Sequence, residues 1–283
     1  MPCNLLLQYL LPKHILSRLM AKIANCRIPL IKNFIIKYYC KFYHIDMSDA
    51  LEPNCFNYPT FNAFFTRALK FGSRPITNDI KAIVSPVDGK IWQIGKVNVD
   101  FVDSRINAKG KSFTLEELLA NAKDAAQFRD ANFAVLYLAP SNYHRIHMPI
   151  EGKLHSMRYV PGQLFSVNPN IVNHIPDVFA KNERVVSIFD TCLGQAAIIF
   201  VGAIFVGSIE TAWAGLVAPN GQKNISNWNY DEQNITFARQ AEIGKFKMGS
   251  TVILLFPKGT IKWDEQLQQG VSIKMGQTLG VLL

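Results

Sequence analysis

Three short stretches carry residue types that could do chemistry. Near the C-terminus, Met248-Gly249-Ser250-Thr251 opens an apolar, β-branched run from Val252 to Phe256 that reads as a strand. Glycine adopts backbone geometries closed to other residues, so the Gly249 carbonyl can be presented in an unusual, reactive setting. The Ser250 hydroxyl lies one residue along. Once a base removes its proton, it can attack that carbonyl and turn the peptide bond into an ester. β-Elimination then cuts the chain and leaves a dehydroalanine, which hydrolyses to an N-terminal pyruvoyl group. A Gly-Ser-Thr step at a strand start is ordinarily just a turn, so the motif needs company.

Tyr143-His144-Arg145-Ile146-His147-Met148-Pro149 holds two of the six histidines, three residues apart and bracketed by prolines. The prolines favour an extended or turn segment. A His-x-x-His pair fits a metal site, but nothing nominates the other ligands, and a satisfied surface or core pair fits as well. The third stretch is Ser85-Pro86-Val87-Asp88-Gly89-Lys90, whose Asp-Gly step suits a tight hairpin. Read by itself, Asp88 is a turn aspartate.

These residues sit in a chain of 283, long enough for one large domain or two small ones, with 49% hydrophobic and 18% charged residues. Thirty basic against 21 acidic residues give a net charge of +9. The excess is concentrated at one end: residues 1–45 hold Lys13, Arg18, Lys22, Arg27, Lys32, Lys37 and Lys41 and no acid. An anionic surface is the partner this implies, and no nucleic acid is expected. Five scattered cysteines without a CxxC pair read as reduced thiols, with neither a disulfide framework nor a zinc site, and no metal is expected. The longest apolar run, Ala196 to Gly207, is shorter than the ~20 residues of a spanning helix and reads as buried strand.

From Leu5 to about Phe42, apolar residues recur at helical spacing between the basic ones. Such helices can lie in a membrane interface, or pack on a soluble core with a solvated basic face. A helical segment at 61–67 and a Gly/Pro-marked loop at 72–75 lead to a boundary near residue 80. Strands are expected over 90–97, 132–138, 154–160, 184–189, 196–207 and 233–241, and a strand–turn–strand over 271–281. Thr114-Leu115-Glu116-Glu117 is a capping box that starts a helix to about Phe128. Pro161 to Asn168 has the composition of a ligand-facing loop, and Asn182-Glu183-Arg184 sets opposite charges beside a strand.

Taken together, Pro86-Val87-Asp88-Gly89, Tyr143 to Pro149 and Met248-Gly249-Ser250-Thr251 resemble the phosphatidylserine decarboxylases, pyruvoyl-dependent, membrane-associated enzymes, in their bacterial single-proenzyme form. The likeness covers nearly the whole chain and takes in Phe165-Ser166-Val167-Asn168 and Asn182-Glu183-Arg184. Met248 stands where the family more often has leucine, an apolar exchange.

An α+β fold is expected, with N-terminal amphipathic helices (1–80) that associate with membrane and a catalytic core (81–283) that is β-rich and barrel-sandwich-like, because Pro86 to Lys90 and Lys274 to Leu279 look like turns of lipoyl- or biotinyl-carrier folds. The resemblance implies self-cleavage between Gly249 and Ser250 into chains 1–249 and 250–283, which stay together. In the relay, His147 takes the proton of Ser250, and Asp88 orients the imidazole and stabilises its cation. His144 would then serve proton transfer during decarboxylation. The cofactor is a covalent pyruvoyl group made from Ser250; it forms a Schiff base with phosphatidylserine and acts as electron sink, yielding phosphatidylethanolamine and CO2. A homodimer, attached peripherally to the cytoplasmic face of the cell membrane, is also implied. A serine hydrolase would use the same three residues without cutting its own chain, but a Gly-x-Ser-x-Gly elbow is absent. A carrier domain or a basic scaffold without chemistry would leave Ser250 idle.

Overall fold

The acid-free N-terminal stretch forms two helices, α1 (Lys13–Ala24) and α2 (Pro29–Tyr43), in the computed structural model, which describes residues 11–97, 105–108, 111–168, 172, 174–204, 208–218, 222–247 and 250–283. The start of the periodic run at Leu5 thus lies outside the described residues. Asn25 separates the helices by folding its side-chain amide onto the Ala21 carbonyl at 2.9 Å, and Pro29, with no N–H to lose, opens α2. A short third helix, α3 (Phe61–Phe65), is capped by the Thr60 hydroxyl, which accepts the Ala63 N–H at 3.0 Å. Ala24, Ile36, Phe61, Phe64 and Phe65 form a small buried cluster of their own. Much of the apolar surface of these helices faces outward: Leu30 is 84% exposed, Phe42 75% and Phe34 63%. Among the described residues, no helix is long and apolar enough to cross a membrane.

From residue 82 the chain is mainly strand. β1 (Ala82–Val84), β2 (Gly89–Lys96), β3 (Arg105–Ala108) and β4 (Lys111–Thr114) precede helices α4 (Leu115–Leu119) and α5 (Ala122–Gln127). β5 (Asn132–Leu138), β6 (Arg145–His147) and β7 (Gly152–Val160) are followed by helix α6 (Val178–Lys181), β8 (Arg184–Thr191) and β9 (Gly194–Val201). β10 (Ile209–Thr211), β11 (Gly215–Ala218), β12 (Ser226–Asn229), β13 (Thr236–Phe237) and β14 (Glu242–Phe246) lead to β15 (Ser250–Phe256), and β16 (Ile261–Trp263), β17 (Ser272–Ile273) and β18 (Thr278–Leu282) close the chain. The largest sheet runs β12-β7-β8-β9-β15-β5-β2-β17, with β13 also beside β7. β15 is central in it, antiparallel to β5 and β9, and Val252 to Phe256 are fully buried. A second sheet, β11-β10-β14-β6, carries His147. The fold is α+β, with N-terminal helices followed by a β-rich core.

Three local expectations are corrected. The Asp88-Gly89 step does not close a hairpin, because β1 pairs with β18 while β2 pairs with β5 and β17. Glycine is needed at 89 for another reason: a Cβ there would run into the Tyr137 carbonyl of β5. The helix expected from Thr114 to Phe128 is two helices. Ala120 takes a left-handed conformation (φ 52) and Asn121 caps α5 by accepting the Asp124 N–H at 2.9 Å. Of the strand expected over 233–241, only Thr236–Phe237 pairs, and the chain then turns through Gln240 at φ 69.

Candidate active site

Asp88 lies in the turn between β1 and β2, 7% exposed. Its Oδ1 accepts from Arg74 Nε at 2.8 Å and from the Met275 amide at 2.9 Å, and its Oδ2 accepts from a terminal guanidinium nitrogen of Arg74. Arg74 also reaches Asp49, at 2.7 Å. The turn is tied to the histidine strand through the backbone, where the His147 N–H donates to the Pro86 carbonyl at 2.8 Å.

His147 is fixed at both ring nitrogens. Nδ1 lies 2.7 Å from the Gln240 carbonyl, which can only accept, so Nδ1 carries the proton and Nε2 receives the Tyr143 hydroxyl at 2.9 Å. Burial holds its pKa below the ordinary imidazole value; the Gln240 carbonyl, Glu242 and Asp88 favour the cation and work against that shift, while Arg145 adds to it. The result is a neutral base. The imidazole is thus oriented by Gln240 and Tyr143, while the Asp88 carboxylate is occupied by Arg74 and the Met275 amide. A cavity of about 280 Å³ opens beside these groups, walled by residues 68–74 and by Tyr143, Arg145, His147, Gln240, Glu242 and Met275.

His144 is wholly buried and stacks on Phe65 of α3, with ring centroids 4.1 Å apart. Its Nε2–H donates to the Ala139 carbonyl at 3.1 Å, and Nδ1 has no partner. Burial and then the Arg67 charge lower its pKa to about 3. A bare imidazole nitrogen therefore lies in the interior beside residue 139.

Ser250 begins β15 opposite Leu138, one residue before Ala139. The preceding strand, β14, ends at Phe246, whose N–H donates to the His144 carbonyl at 3.0 Å. The chain thus leaves β14 on His144 and enters β15 next to the carbonyl that holds the same histidine. Met248 and Gly249 lie outside the described residues, and Ser250 is described by its backbone alone. Thr251, the next residue, is buried, with its hydroxyl unpartnered. Two buried polar atoms near this junction in the chain, His144 Nδ1 and Thr251 Oγ1, have no hydrogen-bond partner.

The two other singled-out stretches fasten to each other. The Asn182 amide accepts the Phe165 N–H at 2.9 Å and donates to the Phe165 and Gly202 carbonyls, both at 2.8 Å. Gly162 lies so close to residues 181–183 that a Cβ would press on their backbone at 2.5–2.6 Å. Arg184 spends its guanidinium on the carbonyls of Glu117, Leu118, Ala180 and Asn182. Among the described residues, His144 and His147 belong to no group of three metal-ligating side chains; the one such group is His155, Asp190 and Asp231.

The family model described as phosphatidylserine decarboxylase matches residues 61–281, and a second, described as PSD, matches residues 3–44. The chain belongs to the phosphatidylserine decarboxylase family. Curated relatives named phosphatidylserine decarboxylase proenzyme include that of Hahella chejuensis, 46% identical over 99% of this chain and 93% of the relative. Those of Marinobacter nauticus (46%; 97% and 96% covered) and Ectopseudomonas mendocina (47%; 98% and 96%) are similar. The chain is accordingly an enzyme of a decarboxylase family. Arg74, Tyr143 and Gln240 join these groups without a motif that marks them in the sequence: Tyr143 is next to the histidine pair, whereas Gln240 acts through its backbone carbonyl and leaves no side-chain signal.

Proposed function

We propose that this chain is a phosphatidylserine decarboxylase proenzyme that cuts itself between Gly249 and Ser250 and then converts phosphatidylserine to phosphatidylethanolamine and CO2. The observation that carries the reading is the start of β15 at Ser250, one residue from the carbonyl that fixes a buried, neutral His144 with a bare Nδ1. The names of the curated relatives support the same substrate.

His147 is the base for self-cleavage, because it is neutral and its unprotonated nitrogen is Nε2. That nitrogen takes the Ser250 proton once the Tyr143 hydroxyl yields its place. Asp88, held by Arg74, favours the imidazolium that forms. The Ser250 oxygen adds to the Gly249 carbonyl, and the Gly249–Ser250 C–N bond breaks to give the ester as the imidazolium returns its proton to the Ser250 nitrogen; loss of the Ser250 Cα proton then expels a carboxylate on Gly249 and leaves dehydroalanine, which takes up water and releases ammonia. When formed, the pyruvoyl group supplies the electrophilic carbonyl for the substrate amine and the sink for the electron pair left by CO2. His144, whose Nδ1 is unpartnered, serves proton transfer during decarboxylation. Residues 1–80 hold the enzyme at an anionic membrane, a role supported by the acid-free, basic stretch 1–45 and the outward-facing Leu30, Phe34 and Phe42.

The test is direct. Purified chain is incubated with phosphatidylserine vesicles, and CO2 and phosphatidylethanolamine are measured beside Ser250→Ala. Wild type is expected to form both and the variant neither. Wild-type protein that binds the vesicles and forms neither product would overturn the proposal.

A further inference from the structure

Helix α1 buries Ala24 and half-buries Leu16 and Met20, but it also leaves apolar side chains outside and takes polar ones in. Ile15 and Leu19 are 64% and 54% exposed, while Lys13 and Ser17 are buried. An ordinary amphipathic surface helix turns its apolar stripe inward and its polar face to water. Here the face that carries His14, Ser17, Arg18 and Lys22, at i, i+3, i+4 and i+8, looks instead onto a cavity of about 820 Å³ between α1 and the β core. Lys13 anchors the helix by lying 4.1 Å above the Phe165 ring.

The cavity is cationic. Arg18 and Lys22 of α1 line it together with Lys223, all three exposed, and none of them takes part in an ion pair among the described residues. Among its described lining residues the one acid is Glu183, 3% exposed, which receives the Tyr159 hydroxyl. Burial raises the Glu183 pKa, opposed by that hydrogen bond and by His14. The cavity is also near the reaction junction: the Glu183 carbonyl accepts the Gly202 N–H at 2.8 Å, and Gly202 follows Val201, the strand partner of Thr251.

We propose that this cavity binds the headgroup of an anionic glycerophospholipid, with Arg18, Lys22 and Lys223 on its phosphodiester and carboxylate oxygens. The outward apolar face of α1 then lies in the acyl layer of the same membrane, so the helix sits between headgroup site and lipid chains. The proposal deepens the phosphatidylserine reading and rests on it for the choice of lipid, but not on any self-cleavage.

The experiment uses full-length Ser250→Ala protein, which binds without turnover, titrated with glycerophosphoserine, the headgroup without acyl chains. Saturable one-to-one binding is expected. Replacing Arg18, Lys22 and Lys223 by alanine together should weaken it at least about tenfold, since each cation near an anionic headgroup contributes appreciably. Replacing Arg27, Lys37 and Lys41, which do not line the cavity, removes the same charge elsewhere and should change it by less than about twofold, because charges not in contact with the ligand are screened. Absent saturation, or equal losses in the two triple variants, would overturn the site. Inorganic phosphate displacing the ligand at equal concentration would overturn its lipid assignment. Because no chemistry is required, failure here is separable from failure to release CO2.

Discussion

At the scale of single residues, the account rests on two histidines kept neutral by burial and given different hydrogen-bond partners. His147 has a pKa below the usual imidazole value, so its basic form is already dominant by about pH 6.5. Self-cleavage, followed by denaturing gel across pH, should therefore rise from acid and reach half its plateau below about pH 6.5. His147→Ala should slow it by ~10²–10⁴. A midpoint above pH 7 would remove His147 as the base. His144 makes a stability prediction. Its folded pKa is about 3, while the unfolded chain binds the same proton near the ordinary value. Between those limits the unfolded state holds more protons, so stability is complete above about pH 6.5 and is lost as pH falls. His144→Gln should show a shallower loss of urea midpoint from pH 7 to pH 5 than wild type; an identical slope would mean that His144 is not buried neutral. Both histidines were legible from sequence as residue types at a telling spacing. Their partners were not, because Gln240 and Ala139 contribute backbone carbonyls that any residue possesses.

At the scale of elements, legibility followed the strength of the local signal. Asn132–Leu138 and Ser250–Phe256 could be read directly, as apolar runs bounded by polar or glycine residues. The Thr114 capping box fixed the start of α4, but the break at Ala120 was hidden, since alanine gives no sign of a left-handed conformation. Asp88-Gly89 looked like a hairpin because Asp-Gly serves that turn so often; here the glycine answers to the close approach of β5. The Asn182-Glu183-Arg184 stretch was legible as unusual, but its division of labour was not. Arg184 is a clamp that joins α4, α6 and the start of β8 by donating to four carbonyls. Lysine cannot reproduce that planar fork. Arg184→Lys should lower stability by about 1–3 kcal/mol through carbonyls left unpaired, read from the urea midpoint. A change within about 0.5 kcal/mol would show the clamp to be dispensable.

At the scale of the whole molecule, a basic helical end with outward apolar side chains is joined to a β-rich core that carries the chemistry. The two are not independent: Phe65 of α3 stacks on His144, the Tyr39 hydroxyl of α2 donates to the Pro140 carbonyl at 2.9 Å, and Arg145 Nε donates to the Thr66 carbonyl at 2.9 Å. Leu30, Phe34 and Phe42 should each add roughly 1.5–3 kcal/mol where they enter hydrocarbon, so replacing all three by serine should lower vesicle partitioning at least about a hundredfold. Partitioning unchanged in a flotation assay would move the membrane face elsewhere. The central claim, that residue 250 becomes the reactive group, is tested most directly by the denaturing intact mass of the purified chain beside Ser250→Ala. The account predicts two wild-type species, one ending at Gly249 and one beginning at residue 250 with the mass of a pyruvoyl group in place of serine, and a single uncut chain for the variant. A wild-type chain that remains intact after prolonged incubation would contradict it.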